Sequence, residues 1–99
     1  MLIISGEIRV APESHAKAVA AAIKVAQATR KEAGCVSYSF YADLEDPNCF
    51  RIFEEWESQA ALAAHFKAPH IAVFRTEMAE VKVLSRQLKK YEIAGSSAL

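Results

Sequence analysis

The spacing of apolar residues along this chain switches between a period of two and a period near 3.6, in the order strand, helix, strand, strand, helix, strand. Few folds accept that order. Leu2, Ile4, Gly6, Ile8 and Val10 alternate with Ile3, Ser5, Glu7 and Arg9, the pattern of a half-buried strand. Pro12 suits a first helical turn, and a helix is expected to run to about Ala33, with Val19, Ala22, Ile23, Ala26 and Ala33 as its apolar stripe and Gly34 as its stop. A second strand follows from Cys35 to Asp43, with Val36, Tyr38, Phe40 and Ala42 on one face. A turn at Glu45-Asp46-Pro47-Asn48 leads into a third strand, Cys49 to Trp56. Ser58 caps a short helix ending at Phe66, Pro69 starts another turn, the spacing from His70 to about Met78 is again helical, and Val81 to Ile93 forms the last strand.

The β-α-β-β-α-β order predicts an α+β, ferredoxin-like fold, an antiparallel sheet with helices packed on one face. At 99 residues the chain is read as one domain, 1–99, with 94–99 as a frayed tail. The sheet's second face would carry Tyr41 and Phe53, joined by Ile3, Val83 and Tyr91 from the flanking strands. A second copy of the chain is the simplest cover for it, so a homodimer is expected.

Composition narrows the partners. Twelve basic and twelve acidic side chains give no net charge, which argues against nucleic acid and anionic membranes and fits an uncharged aromatic ligand that needs no steering. No apolar run approaches the ~20 residues of a membrane span, and Met1-Leu2-Ile3-Ile4 lacks a basic flank, so a cytoplasmic location is expected. With Leu44 opposite Cys49, Cys35 lies on the order of 30 Å away along the hairpin at ~3.3 Å per residue, too far for a disulfide.

Chemistry concentrates in two stretches, Glu54 to Ser58 and His65 to His70. Glu54 shares a strand face with Phe50, Ile52 and Trp56, where lost hydration would raise its pKa and suit it to acid–base work. Pairing with a nearby Arg or Lys is the plainer alternative. His65 shares a helix face with Leu62 and Phe66 and would look into space between helices and sheet, placed to accept a proton from a phenol or enol. His70 stands near a helix N-terminus, where it could act as a cap, and His15 is expected at the solvated surface. His65 and His70 are five apart with a proline between and no evident carboxylate to complete a set, so no metal site is expected. Glycine-rich phosphate loops and serine nucleophile elbows are absent.

In these residues the chain resembles the antibiotic biosynthesis monooxygenase family, particularly its small quinol-monooxygenase-like members. The matching pieces are Glu32-Ala33-Gly34-Cys35 leading to Tyr38, then Glu54-x-Trp56-x-Ser58, then His65-Phe66-x-x-Pro69-His70 ending at Phe74, in that order over nearly the whole chain. The resemblance implies a dimeric α+β barrel with a pocket between helices and sheet in each chain. It also implies chemistry without metal, flavin or haem, in which a deprotonated aromatic substrate itself supplies the electron to O₂. The haem-degrading branch looks like an Asn on the first strand, a Trp on the second helix and a His ligand on the third. Here the one Asn is Asn48 in a turn, and His65 and Arg75 stand where the Trp and His would be, so that branch is rejected. The expected site has His65 and Glu54 as catalytic groups and Trp56, Tyr38, Phe66, His70 and Phe74 around a quinol or polyphenol. The same pocket would also suit an isomerase of a small enolisable hydroxy-ketone using His65 and His70, or a non-catalytic module that binds a small aromatic.

Overall fold

The computed structural model describes residues 1–99. Its elements are β1 (Leu2–Val10), a 3₁₀ turn (Pro12–Ser14), α1 (His15–Thr29), β2 (Cys35–Asp43), β3 (Asp46–Trp56), α2 (Gln59–Phe66), α3 (Pro69–Met78) and β4 (Val83–Glu92). The strands form one antiparallel sheet in the order β2-β3-β1-β4, so β1 and β2 are separated by β3 as the split βαβ arrangement requires. The fold is α+β and ferredoxin-like. No helix is long and apolar enough to cross a membrane.

Strand pairing aligns residues in rows across the helix-facing side. One row reads Tyr38, Glu54, Ile4, Lys90; the next reads Phe40, Ile52, Gly6, Leu88; the third reads Ala42, Phe50, Ile8, Arg86. Trp56 is fully buried at the centre of the main core, packed with Leu2, Val25, Ala26, Tyr38, Ile52, Leu62 and Ile71. A smaller cluster of Val10, Ala18 and Val81 closes the other end.

Several local readings are corrected. The buried side of α1 is Ala18, Ala21, Val25, Ala26 and Thr29, whereas Val19, Ala22 and Ile23 border a shallow groove of about 330 Å³ beside Phe40 and Phe50. Alanines surround this helix, so its apolar period does not single out one face. α1 stops at Thr29 rather than near Ala33, and short-range bonds such as Glu32 N–H to the Thr29 carbonyl carry the chain into Gly34, the one residue with positive φ, at +82°. The hairpin turn is tighter than expected: Asp43 pairs with Asp46 around Leu44 and Glu45, with the Asp43 and Asp46 side chains accepting from the Glu45 and Asn48 N–H groups. Ala42 then faces Phe50, so Cys49 is not opposite Leu44; both cysteines are free, Cys35 at the start of β2 opposite Trp56 and Cys49 near the other end of β3. Val36 occupies an irregularity between Cys35 and Ser37 and is half exposed instead of sharing the Tyr38 face. Val83 pairs with Val10 after a register shift and lines the helix-side cavity, not the open face. His15 is half-buried, hydrogen-bonded to Asn48 at 2.9 Å and stacked near Phe50.

The uncovered face carries Ile3 opposite Tyr91 and Phe53 near Tyr41, with Arg51 tied to Glu7 at 2.9 Å between them. None of the ten β4 residues is buried, and only Leu88 is packed against the core.

Gly6 of β1 faces the backbone of β4 with no room for a side chain. A Cβ there would run into the Gln87 carbonyl oxygen and lie 2.6 Å from the Leu88 Cα, both backbone atoms that cannot swing away. Gly6→Ala is expected to lower stability by about 1–3 kcal/mol through forced strand separation. Urea denaturation checks this, and an unchanged midpoint would contradict so close a strand approach.

Candidate active site

A cavity of about 650 Å³ opens between the sheet and helices α2 and α3. Its floor is the strand rows just described, and Leu62, His65 and Phe66 from α2 with Ile71 and Phe74 from α3 form its roof. Phe40 and Phe74, 6.3 Å apart between ring centroids, form one aromatic wall.

His65 is buried against Trp56 and Tyr38, with ring centroids 4.6 and 5.6 Å away. Its Nδ1 lies 2.7 Å from Glu32 Oε2, and the same oxygen lies 2.6 Å from His70 Nε2. Glu32 reaches this point because α1 ends early: inside a helix its side chain would follow the helix face, whereas on the turn before Gly34 it projects between α2 and α3. A carboxylate accepts hydrogen bonds, so the His65 Nδ1 that faces Glu32 carries a proton.

Three polar atoms of residues that line the cavity lack protein partners: His65 Nε2, the Tyr38 hydroxyl and Glu54 Oε2. They are not sealed in, because Thr29 Oγ1 is the single fully enclosed side-chain polar atom left unsatisfied. Glu54 has no Arg or Lys partner; its Oε1 accepts from Trp56 Nε1 at 2.9 Å. Burial pushes the Glu54 carboxyl up to about 7, the Trp56 hydrogen bond opposes this, and the Glu32 charge adds to it. Burial likewise raises the Tyr38 phenol, which stays neutral.

The structure thus brings His65, Glu54, Tyr38, Phe66 and Phe74 to one cavity. Trp56, expected in its wall, lies wholly behind it and acts through Glu54. His70, expected beside the ligand or as a cap, makes no cap and stands behind His65 on the Glu32 oxygen. Glu32 was not anticipated at the site, although its motif carried the family resemblance. It also overturns the statement that no carboxylate accompanies the two histidines: the donor atoms of Glu32, His65 and His70 all lie within 4.8 Å of one another. Such a trio could ligate a divalent ion, but separations of 2.6 and 2.7 Å are those of direct hydrogen bonds.

The raised Glu54 carboxyl has a stability consequence. Between the unfolded pKa, near 4.5, and the folded value of about 7, the folded state holds a proton that the unfolded chain has lost, so stability falls as pH rises through this window. The loss amounts to about 3 kcal/mol from the shift alone. Glu54→Gln is expected to flatten this decline and to be the more stable protein at pH 8. Thermal melts from pH 4.5 to 8 test it, and parallel curves for the two proteins would refute a buried neutral carboxyl.

Comparisons with known proteins bear on the fold and the family. An uncharacterized protein of Synechocystis sp. is 33% identical over 99% of this chain and 67% of its own length. The Bacillus subtilis protein YcnE, whose name proposes a monooxygenase, is 27% identical over 75% of this chain and 78% of its own. A crystal structure from Deinococcus radiodurans, described as a proposed antibiotic biosynthesis monooxygenase, superposes with a TM-score of 0.91 at 27% identity, covering 100% of this chain and 98% of that one. The profile of the antibiotic biosynthesis monooxygenase family matches residues 1–77, and with the sheet order and relatives above it establishes that the chain belongs to that family.

Proposed function

We propose that the protein is a cofactor-independent monooxygenase that oxidises a quinol or polyphenol with O₂. The family and its relatives support a general monooxygenase-like role. The observation that carries the finer reading is His65, which lines the cavity with Nδ1 fixed by Glu32 and Nε2 without a protein partner.

In this reading His65 Nε2 accepts the proton of a substrate hydroxyl, and Glu32 stabilises the imidazolium that results. The phenolate gives one electron to O₂, the two radicals join at a ring carbon, and loss of water from the hydroperoxide leaves a quinone. A phenol with one ring C–H plus O₂ becomes a quinone plus H₂O, so no outside reductant is needed. The Tyr38 hydroxyl orients the substrate oxygen, and Glu54, near its midpoint at neutral pH, returns a proton to the leaving water. Phe40, Phe66 and Phe74 hold the ring and keep water out. Glu54 and His65 in one cavity also suit enolisation of a hydroxy-ketone, which would proceed without O₂ and exchange substrate protons with deuterated water.

The open sheet face and the unburied β4 support a homodimer. Phe53→Arg on that face is expected to convert a 10.9 kDa chain of doubled mass into a monomer by light scattering, and a wild type that is already monomeric would end this proposal.

Oxygen uptake with a panel of reduced quinones and naphthols tests the reaction. The wild type should consume O₂ above the uncatalysed rate with chelator present, and His65→Ala should lose roughly 10²- to 10⁴-fold in kcat. Glu32→Gln should lose less and shift the pH profile, since the imidazolium loses its counter-charge. No uptake across the panel, or full activity in His65→Ala, would sink the oxygenase reading.

A further inference from the structure

The chain has no net charge, yet its cavity does. Arg75, Arg86, Lys89 and Lys90 line it, against Glu54 as the single acidic lining residue. That acid is held toward its neutral form by burial.

The cations have no acidic partners. Lys90 reaches only the amide oxygen of Gln59, at 3.1 Å, and Arg75, Arg86 and Lys89 make no ion pair. Acids that could have neutralised them are engaged elsewhere. Glu77 and Glu80, at and beyond the end of α3, pair with Lys24 and Lys17 of α1; Glu7 pairs with Arg51 on the opposite sheet face; Glu32 is held by the two histidines. Glu92 shares β4 with the cations but does not line the cavity and pairs with none of them. α3 therefore turns its Glu77 toward α1 while its Arg75 lines the cavity.

The placement is directional. Lys90 lies in the same cross-sheet row as Glu54 and Tyr38, while Arg86 lies four residues further along β4, about 13 Å at ~3.3 Å per residue. Arg86 lines the cavity from the sheet layer with Leu88 between it and Lys90, and Arg75 lines it from α3, one turn on from Ile71 of the main core toward Met78 beside the Val10 cluster. Guanidinium groups match planar oxyanions with paired N–H donors.

We infer that the cavity takes an aromatic molecule bearing an oxyanion at the end opposite its reacting hydroxyl, with Arg75 and Arg86 as the anion-recognising residues. The hydroxyl end lies under His65 and Tyr38 and the rings lie along Phe40 and Phe74. This replaces the uncharged substrate that net charge suggested, and it rests on the cavity of the proposed reaction while its test needs no turnover.

Calorimetric titration of the whole protein with 2-naphthol, 6-hydroxy-2-naphthoate and 2-naphthyl phosphate tests the inference. Both anions are expected to bind at least about tenfold more tightly than the neutral naphthol, a difference of ~1.4 kcal/mol, at low salt. The stronger of the two identifies the head as carboxylic acid or phosphate ester. Raising salt should weaken the anions and leave naphthol unchanged. Arg75→Ala/Arg86→Ala should erase the preference to within about twofold, and Arg75→Lys/Arg86→Lys should keep part of it. His65→Ala should retain it. Equal affinity for naphthol and both anions, or a preference that survives the double alanine variant, overturns the inference. If the preference holds while no compound consumes O₂, the oxyanion site stands and the oxygenase reading falls.

Discussion

Helices α2 and α3 are eight and ten residues long, about 12 and 15 Å at 1.5 Å per residue, and they cannot roof a four-stranded sheet. α1, at fifteen residues, covers part of the sheet and leaves the rest to them. Everything distinctive in the molecule follows from that shortage. Where the short helices reach, Trp56, Leu62 and Ile71 pack to full burial; where they do not, the floor of Ile4, Ile8 and Leu88 stays open and becomes the cavity. The cavity is the ordinary consequence of covering a wide surface with short elements, and natural protein interiors leave few voids of this size without a use.

The polar groups at its inner end are held by neighbours that do not touch the cavity. Trp56 supplies the hydrogen bond that fixes one Glu54 oxygen, and Glu32, backed by His70, fixes one His65 nitrogen. Each reactive side chain has one atom anchored and one free, which is how a protein positions a group without consuming its chemistry. The arrangement joins residues thirty-three and thirty-eight positions apart in the chain, so it exists only in the folded state.

The periodicities of the chain made the element order and sheet class legible, because strand and helix spacings differ too much to confuse over nine or more residues. The Ser58 cap was readable for the same local reason, and the third helix to within one residue of its start at Pro69. Orientation of α1 was not, since its alanines offer no contrast between faces, and neither was the hairpin turn, where Asp43 and Asp46 act through their own backbone neighbours. At the site, His65 and Glu54 could be placed from their apolar company. Glu32 could not, because nothing local says that a carboxylate after a helix will meet two histidines from other segments. Trp56 was misplaced because an aromatic next to a site reads the same whether it lines the wall or stands behind it.

Strand β4 is held along one edge by β1 and buries almost nothing of its own. Opening free energy in a folded chain follows buried contact, so this strand belongs to the cooperative unit that detaches first. It also contributes Arg86, Leu88 and Lys90 to the cavity. The wall that would greet a ligand is therefore the least anchored wall of the vessel, and occupancy, by bridging it to α3, would raise the protection of its amide protons more than those of any strand in the centre of the sheet.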